Sequence, residues 1–314
     1  MDALNFELAR VLIAVIGTAF AAYQDFRTSF IDDKILFSMI GAGALITLAS
    51  LNETIIVYTF VVAAFIFLMG YVLYRQGQLG MGDVLLFVGL QLLLPFHPQI
   101  FSDYVIRPFP FELLSTMVPL VGSSFLITLN ILKHLLFFLT IFLVSSYVAT
   151  LVSGITYARE LFKTRKPLKP SWTGAGVSLF VLVIAGFVLW TTLAFSYGTV
   201  LFLLLLLSTA FFLTFREQLL EEVVTKRMTL KEIEDEDILA LESMPKRIVQ
   251  KYHLGKVLTK SEVKKLKLIS RKERMTRFPV YKILPRFGPY ILIGLLVALA
   301  FGDLFSLLFR LSGG

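Results

Sequence analysis

Residues 55–74 read IIVYTFVVAAFIFLMGYVLY, twenty consecutive positions without one charged side chain. A helix rises about 1.5 Å per residue, so a run of this length crosses the roughly 30 Å hydrocarbon core of a bilayer. A helix on the surface of a water-soluble domain carries polar residues along one face, and this run has no such face. The stretch therefore predicts a transmembrane helix.

Seven further stretches have the same character. The whole composition agrees, because 57% of the residues are hydrophobic and only 17% are charged, whereas soluble domains carry about 25% charged residues. The predicted fold class is all-α: a polytopic integral membrane helical bundle with about eight transmembrane helices. The predicted spans lie near residues 4–24, 35–51, 55–74, 83–101, 135–157, 173–195, 198–215 and 288–309.

Basic residues predict the orientation of these spans. Lysine and arginine concentrate in residues 158–172 and 216–287, and such loops are retained on the cytoplasmic side. Eight spans with the N-terminus outside satisfy both segments. Residues 113–133 are apolar but contain Pro119 and Gly122. A ninth span here would place one basic segment outside, so this stretch is interpreted as a re-entrant segment or a surface helix.

The chain divides into four predicted parts. Residues 1–110 form an N-terminal transmembrane core, and residues 111–215 add further transmembrane helices. Residues 216–287 form a small helical cytoplasmic insert, and residues 288–314 form the final transmembrane helix. The charged runs of the insert are interpreted as solvated helix faces, or as a docking surface for a substrate or for lipid headgroups.

Several kinds of chemistry are excluded by composition. The chain has no cysteine, and its three histidines lie far apart without the spacing of metal ligands, so no metal site is predicted. The net charge of +8 does not predict nucleic-acid binding, because no binding motif and no basic stripe with interleaved aromatic residues accompanies it. Any reaction must use Asp, Glu, Ser, Lys or Tyr, and no cofactor is expected.

Two aspartates stand at the edges of predicted spans. Asp25 ends the first span, and Asp83 begins the fourth directly after Gly80-Met81-Gly82. An ionisable side chain at a membrane boundary is costly and is therefore a functional candidate. Each also has a structural explanation, since acids are routine at span ends and are favoured at helix N-termini. In the predicted topology both lie at the cytoplasmic ends of their helices, where their carboxyl groups can face each other.

Paired carboxyl groups are what aspartyl proteolysis requires. Two acids a few ångströms apart share one proton, because both cannot ionise at once. The ionised member takes a proton from water while the protonated member polarises the scissile carbonyl. Gly80 and Gly82 flank Met81 and lack a Cβ, so a substrate backbone can approach this segment closely; the alternative is an ordinary turn.

The residues around both aspartates resemble a known family. Gly80-Met81-Gly82-Asp83 matches the GxGD signature of membrane aspartyl proteases. Asp25-Phe26-Arg27, followed by a short polar loop, is similar to the archaeal prepilin and preflagellin peptidases. The resemblance is strongest over residues 1–95, and Phe287-Gly288-Pro289-Tyr290 also looks like the C-terminal region of some longer archaeal members.

The resemblance implies a catalytic dyad of Asp25 and Asp83 in an aspartic endopeptidase that needs no metal or organic cofactor. Its expected substrates are membrane-embedded pilin- or archaellin-like precursors, whose class III leader peptides would be removed at the cytoplasmic face of the plasma membrane. The bacterial relatives often carry a cysteine tetrad and methylate the new N-terminus. This chain lacks cysteine, so no methyltransferase activity is expected.

Two further acids follow Asp25 on the loop. Asp32 and Asp33 are candidate contacts for a basic leader peptide, or else they are solvated or cap the second helix. Three other functions stay open at this point: a presenilin-like protease that cuts inside transmembrane helices, a transporter whose acids carry protons or cations, and an inactive structural homologue. The oligomeric state is not indicated.

Overall fold

The computed structural model describes residues 3–98, 100–101, 123–164, 166–192, 197–233, 237–281 and 286–303. Within these ranges, seven α-helices precede the insert, two α-helices and three strands lie in it, and one α-helix follows it. The helices are α1 Ala3–Thr28, α2 Asp33–Ala49, α3 Glu53–Arg75, α4 Met81–Leu93, α5 Ser123–Lys163, α6 Trp172–Thr192, α7 Tyr197–Gln218, α8 Lys246–Tyr252, α9 Lys260–Lys272 and α10 Gly288–Phe301. The strands are β1 Thr225–Met228, β2 Ile238–Leu239 and β3 Phe278–Tyr281.

Four helical segments in this part of the chain are long and apolar enough to cross a membrane, and α4, α10 and most of α6 are shorter apolar helices. Large apolar side chains point outward from several of them, including Leu68 of α3 and Phe180 of α6. A water-soluble protein does not expose so much contiguous apolar surface. The predicted helical membrane protein is confirmed. The four long segments are Phe6–Thr28, Glu53–Arg75, Asn130–Lys163 and Thr199–Val224.

Helix α5 extends well beyond the predicted span 135–157. It contains 41 residues and is therefore about 60 Å long, twice the thickness of the hydrocarbon core. The part of the ambiguous stretch 113–133 that begins at Ser123 belongs to this same helix. Its earlier part, with Pro119 and Gly122, lies outside the described residues.

Two described helices end before the C-terminal bounds predicted for their spans. Helix α4 ends at Leu93, not near residue 101, because Pro95 follows and a proline disfavours helical geometry in the residue before it. Helix α10 ends at Phe301, and Gly302 adopts a φ of 89°, a conformation that glycine tolerates at the end of a helix.

Helices α1 to α4 form the bundle that carries the candidate residues, with α2 packed along α4 and α10 packed against α1 and α5. The contact between α2 and α4 is very close. A methyl group added at Gly43 would lie 2.8 Å from Leu92 Cβ and 2.9 Å from Leu93 N. Nearby, Thr47 Oγ1 donates a hydrogen bond to the Leu92 carbonyl at 2.9 Å. Small residues allow this backbone approach, which is typical of membrane helices.

The insert contains β-structure that the prediction of a helical insert did not include. Strand β3 lies between β1 and β2, antiparallel to both. Leu266 and Ile269 of α9 pack with Phe278 and Val280 of β3 in one buried cluster. The strands escaped prediction because β1 reads Thr-Lys-Arg-Met, β2 has only two residues and β3 contains Pro279. None of them shows the alternation of a half-buried strand.

The close contact of α2 with α4 makes a testable prediction. We expect Gly43→Ala to lower the free energy of unfolding by about 1–3 kcal/mol, because the added methyl group overpacks the interface. At Gly41 of the same helix an added methyl group would have nothing within 4 Å of it, so Gly41→Ala should be neutral or raise stability by up to about 1 kcal/mol. Thermal unfolding in detergent measures both, and equal midpoints for the two variants would contradict the packing described.

Candidate active site

Asp25 lies in the last turns of α1, with 7% of its surface exposed. The helix ends just beyond it, where the Ser29 N–H donates to the Asp25 carbonyl at 2.8 Å and Ser29 adopts a positive φ of 59°. Residues 29–32 then turn the chain back into α2. Asp25 is thus held by the end of a helix rather than by a loose loop.

Asp83 lies in the first turn of α4. Gly80 precedes this helix in an extended conformation, and its N–H donates to Asp83 Oδ2 at 3.3 Å. A carboxylate in this position is stabilised by the unpaired N–H groups and by the dipole of the helix. The start of α4 therefore fixes the direction of the Asp83 side chain.

The two aspartates line one cavity of about 160 Å³. A cavity needs roughly 10–15 Å³ to hold a water molecule, so this one can admit water together with part of a peptide. Both acids thus reach one solvent-accessible space from helices that are separated in sequence by α2 and α3. The cavity is lined by Asp25, Ser29, Phe30, Ile31, Asp33, Gly80, Met81, Gly82 and Asp83.

The two acids proposed for leader contacts have different surroundings. Asp32 caps α2, because its Oδ1 accepts from the Lys34 N–H at 2.9 Å, and its own N–H donates to Gln24 Oε1 at 2.9 Å. Asp33, by contrast, is exposed and lines the cavity beside both aspartates. The structure therefore gives Asp32 a structural contact and leaves Asp33 as the better candidate for contact with a leader.

A contact that the sequence reasoning missed comes from the start of α10. The Gly288 N–H donates to Asp25 Oδ2 at 2.8 Å, across 263 positions of sequence. Just before it, Arg286 donates to the Phe26 carbonyl and, through Nε, to Ser29 Oγ at 3.0 Å. The only signal in the sequence was the Phe-Gly-Pro-Tyr segment, in which a glycine and a proline precede an apolar run.

Within the described ranges, no group of three or more His, Asp or Glu side chains is arranged to hold a metal ion. What the cavity does offer is two carboxyl groups and room for water. Two carboxyl groups a few ångströms apart can share one proton, and such a pair can donate a hydrogen bond and accept a proton at the same time. A pair of carboxyl groups with these properties can act as the general acid and the general base in hydrolysis.

The fold and the cavity together define a helical membrane protein with a carboxylate pair at one end of its bundle. Residues 12–155 match the model of the type IV leader peptidase family. This region holds both aspartates and is similar to the type IV leader peptidases, so the resemblance predicted from the GxGD segment is confirmed.

A curated relative gives the same assignment. Prepilin peptidase EppA of Methanothermobacter thermautotrophicus is 33% identical over 121 residues, which cover 37% of this chain and 29% of the relative. The match therefore spans less than a third of that protein's length. No solved structure matches the chain significantly.

The space around the two glycines before Asp83 predicts different effects of substituting each by alanine. A methyl group at Gly80 would lie 3.0 Å from Asp83 Oδ2, whereas one at Gly82 would lie 3.5 Å or more from Ile31. Gly80→Ala should therefore displace the Asp83 carboxylate, and Gly82→Ala should fold with an unchanged thermal midpoint. A chemical-shift or crystallographic measurement at Asp83 tests this, and an undisturbed carboxylate in Gly80→Ala would refute it.

Proposed function

We propose that this protein is a membrane aspartic endopeptidase that removes class III leader peptides from type IV pilin-like precursors, including archaeal prepilins and preflagellins. The observation that carries this proposal is the cavity shared by Asp25 and Asp83 inside the region that matches the leader peptidase family. The family match supports the substrate class, and the shared cavity supports Asp25 and Asp83 as the pair that would hydrolyse the peptide bond.

The proposed reaction uses the two carboxyl groups as a unit. The ionised member removes a proton from a water molecule, whose oxygen attacks the scissile carbonyl carbon. The protonated member donates a hydrogen bond to the carbonyl oxygen and stabilises the tetrahedral intermediate. When the intermediate collapses, the carbon–nitrogen bond breaks and the departing amine takes up a proton from the dyad. Asp25 and Asp83 exchange these roles through the shared proton.

The proposed cytoplasmic position of the site is supported by the insert. A methyl group added at Gly77, in the turn between α3 and α4, would lie 3.2 Å from Ile238 Cγ2 of the insert. The insert therefore lies at the same end of the bundle as Gly80 and Asp83. Since the insert carries much of the chain's lysine and arginine, the positive-inside rule favours the cytoplasm for this end.

This end of the bundle suits a precursor whose leader is cytoplasmic and whose hydrophobic helix enters the membrane. The aspartates lie at the ends of α1 and α4, where a substrate segment can leave its helix and become extended. In hydrocarbon, a peptide bond is normally enclosed in helical hydrogen bonds. Cleavage at the membrane face avoids the need to unwind a helix inside the bilayer.

Removal of either carboxylate should abolish processing. We expect Asp25→Asn and Asp83→Asn each to lower cleavage of a tagged prepilin in membranes by at least about a thousandfold, because neither remaining acid can supply both proton transfers. Glu53→Gln, an exposed change at the start of α3, serves as the control and should cleave normally. Cleavage at the wild-type rate by either aspartate variant, or a wild-type cut mapped inside the apolar helix, would contradict the proposal.

Asp33 should act on binding of the leader rather than on the reaction. Asp33→Asn removes a negative charge from the cavity rim, so KM for a precursor with a basic leader should rise about two- to fivefold while kcat stays constant. The difference should shrink at high ionic strength because salt screens exposed charges.

A precursor whose leader lysines and arginines are replaced by glutamine provides the matched control for this measurement. With that substrate, wild type and Asp33→Asn should have the same KM. An equal loss with both substrates would show that Asp33 does not recognise leader charge.

A further inference from the structure

The amino end of α10 touches the proposed dyad, although it lies outside residues 12–155, the region matched by the family. We propose that Gly288 is a positioning residue for Asp25 and that Arg286 fastens it to the end of α1. The inference rests on the proposed function, since it assigns the catalytic geometry of that same site. It makes the final helix a working part of the peptidase rather than a membrane anchor.

The hydrogen bond from Gly288 answers a physical requirement. Asp25 is almost fully buried, and a buried carboxyl group without a partner is strongly destabilising. The Gly288 N–H supplies that partner at Oδ2. This hydrogen bond restrains the rotation of the carboxyl group of Asp25, a residue that lines the same cavity as Asp83.

Glycine lets the start of α10 approach Asp25 closely. A methyl group at residue 288 would lie 3.0 Å from both Asp25 Cβ and Asp25 Oδ2, and 3.3 Å from Ala22 Cα. The Gly288 N–H is available because the first N–H groups of a helix have no partner within it. Pro289 follows in the first turn of α10, where its fixed φ suits the start of a helix.

Arg286 ties this turn to α1 through the last residues of that helix. Its guanidinium donates to the Phe26 carbonyl and to Ser29 Oγ, and it lies 5.8 Å from the centre of the Phe26 ring. The Phe26 carbonyl belongs to the last turn of α1, where carbonyl groups lack helical partners and arginine often binds them. Arg286 thus joins the two helix ends one residue away from Asp25.

The rest of α10 is firmly packed, so the turn at Gly288 is not free to drift. Ile291, Leu295 and Ala298 are completely buried. A methyl group at Gly294 would lie 2.5 Å from the Ile141 carbonyl oxygen of α5, so the two helices meet backbone to backbone with no spare room. The contacts of α10 with α5 therefore help to hold Asp25 in place, in addition to the contacts within α1.

The test measures kcat and KM separately for cleavage of a purified prepilin by full-length protein. Gly288→Ala should lower kcat by about tenfold, because the added methyl group would push Asp25 aside by a few tenths of an ångström and a displacement of about 1 Å in a reacting group costs up to about a hundredfold in rate. Its KM should stay within about twofold of the wild-type value, because Gly288 does not line the cavity. Gly41→Ala, a helical glycine with open space around it, is the matched control and should keep both constants.

Arg286 gives a second measurement that does not depend on the folding of Gly288→Ala. Arg286→Gln should lower kcat several-fold with little change in KM, and Arg286→Lys should recover part of the loss, because lysine can still donate to the Phe26 carbonyl. Wild-type kcat in Gly288→Ala, or, if that variant does not fold, wild-type kcat in Arg286→Gln, would overturn the positioning role. A change confined to KM would overturn it equally.

The wild-type and Asp25→Asn proteins separate this inference from the proposed function. If wild type cleaves the precursor and Asp25→Asn does not, the function stands, and the Gly288 and Arg286 variants then decide the positioning role alone. If wild type does not cleave, the proposed function fails, and the positioning role fails with it.

Discussion

The structure depends on one property of hydrocarbon: it offers no hydrogen-bond partner to a backbone or to a charge. The apolar chain must therefore run as helices, and its acids must gather where helices end. Asp25 lies in the last turns of α1 and Asp83 in the first turn of α4, so each acid sits where the backbone itself has unpaired groups. The same requirement explains why three helix ends, those of α1, α4 and α10, converge on one small polar space.

Close contacts between helix backbones fix the positions of these helix ends. A methyl group at Gly70 of α3 would lie 2.5 Å from Val84 Cγ1, so the residue next to Asp83 is seated directly against the α3 backbone. Gly43 does the same for the far end of α4. Van der Waals contact and hydrogen bonds hold membrane helices together without a hydrophobic driving force. The close contacts at Gly70 and Gly43 therefore hold α4 in position. Loss of these contacts would displace Asp83, which lies in the first turn of α4.

Much of this architecture could be read from the sequence, and the exceptions have physical reasons. Apolar runs predict helices because a bilayer leaves the chain no other choice, and the positions of Asp25 and Asp83 follow from the ends of those runs. The bond from Gly288 to Asp25 could not be read, since nothing local signals a contact over 263 positions. The strands of the insert were missed because their pairing, not their composition, defines them: Thr225 faces Tyr281 across the sheet. The C-terminal end of α5 was missed because its charged residues, which suggested a loop, continue the helix beyond its apolar part.

Helix α5 also connects the membrane-spanning part of the protein rigidly to the insert. Tyr157 and Leu161, near its end, are buried in one cluster with Val224, Ala240 and Tyr281, so a single rigid rod joins the bilayer to the insert's sheet. The number of residues in α5 therefore sets the distance between the bilayer and the insert. Seven residues more or fewer would shift it by about 10 Å while turning its face by only about 20°. Such a change would move the insert relative to the bilayer while the turns that hold Asp25 and Asp83 keep their positions.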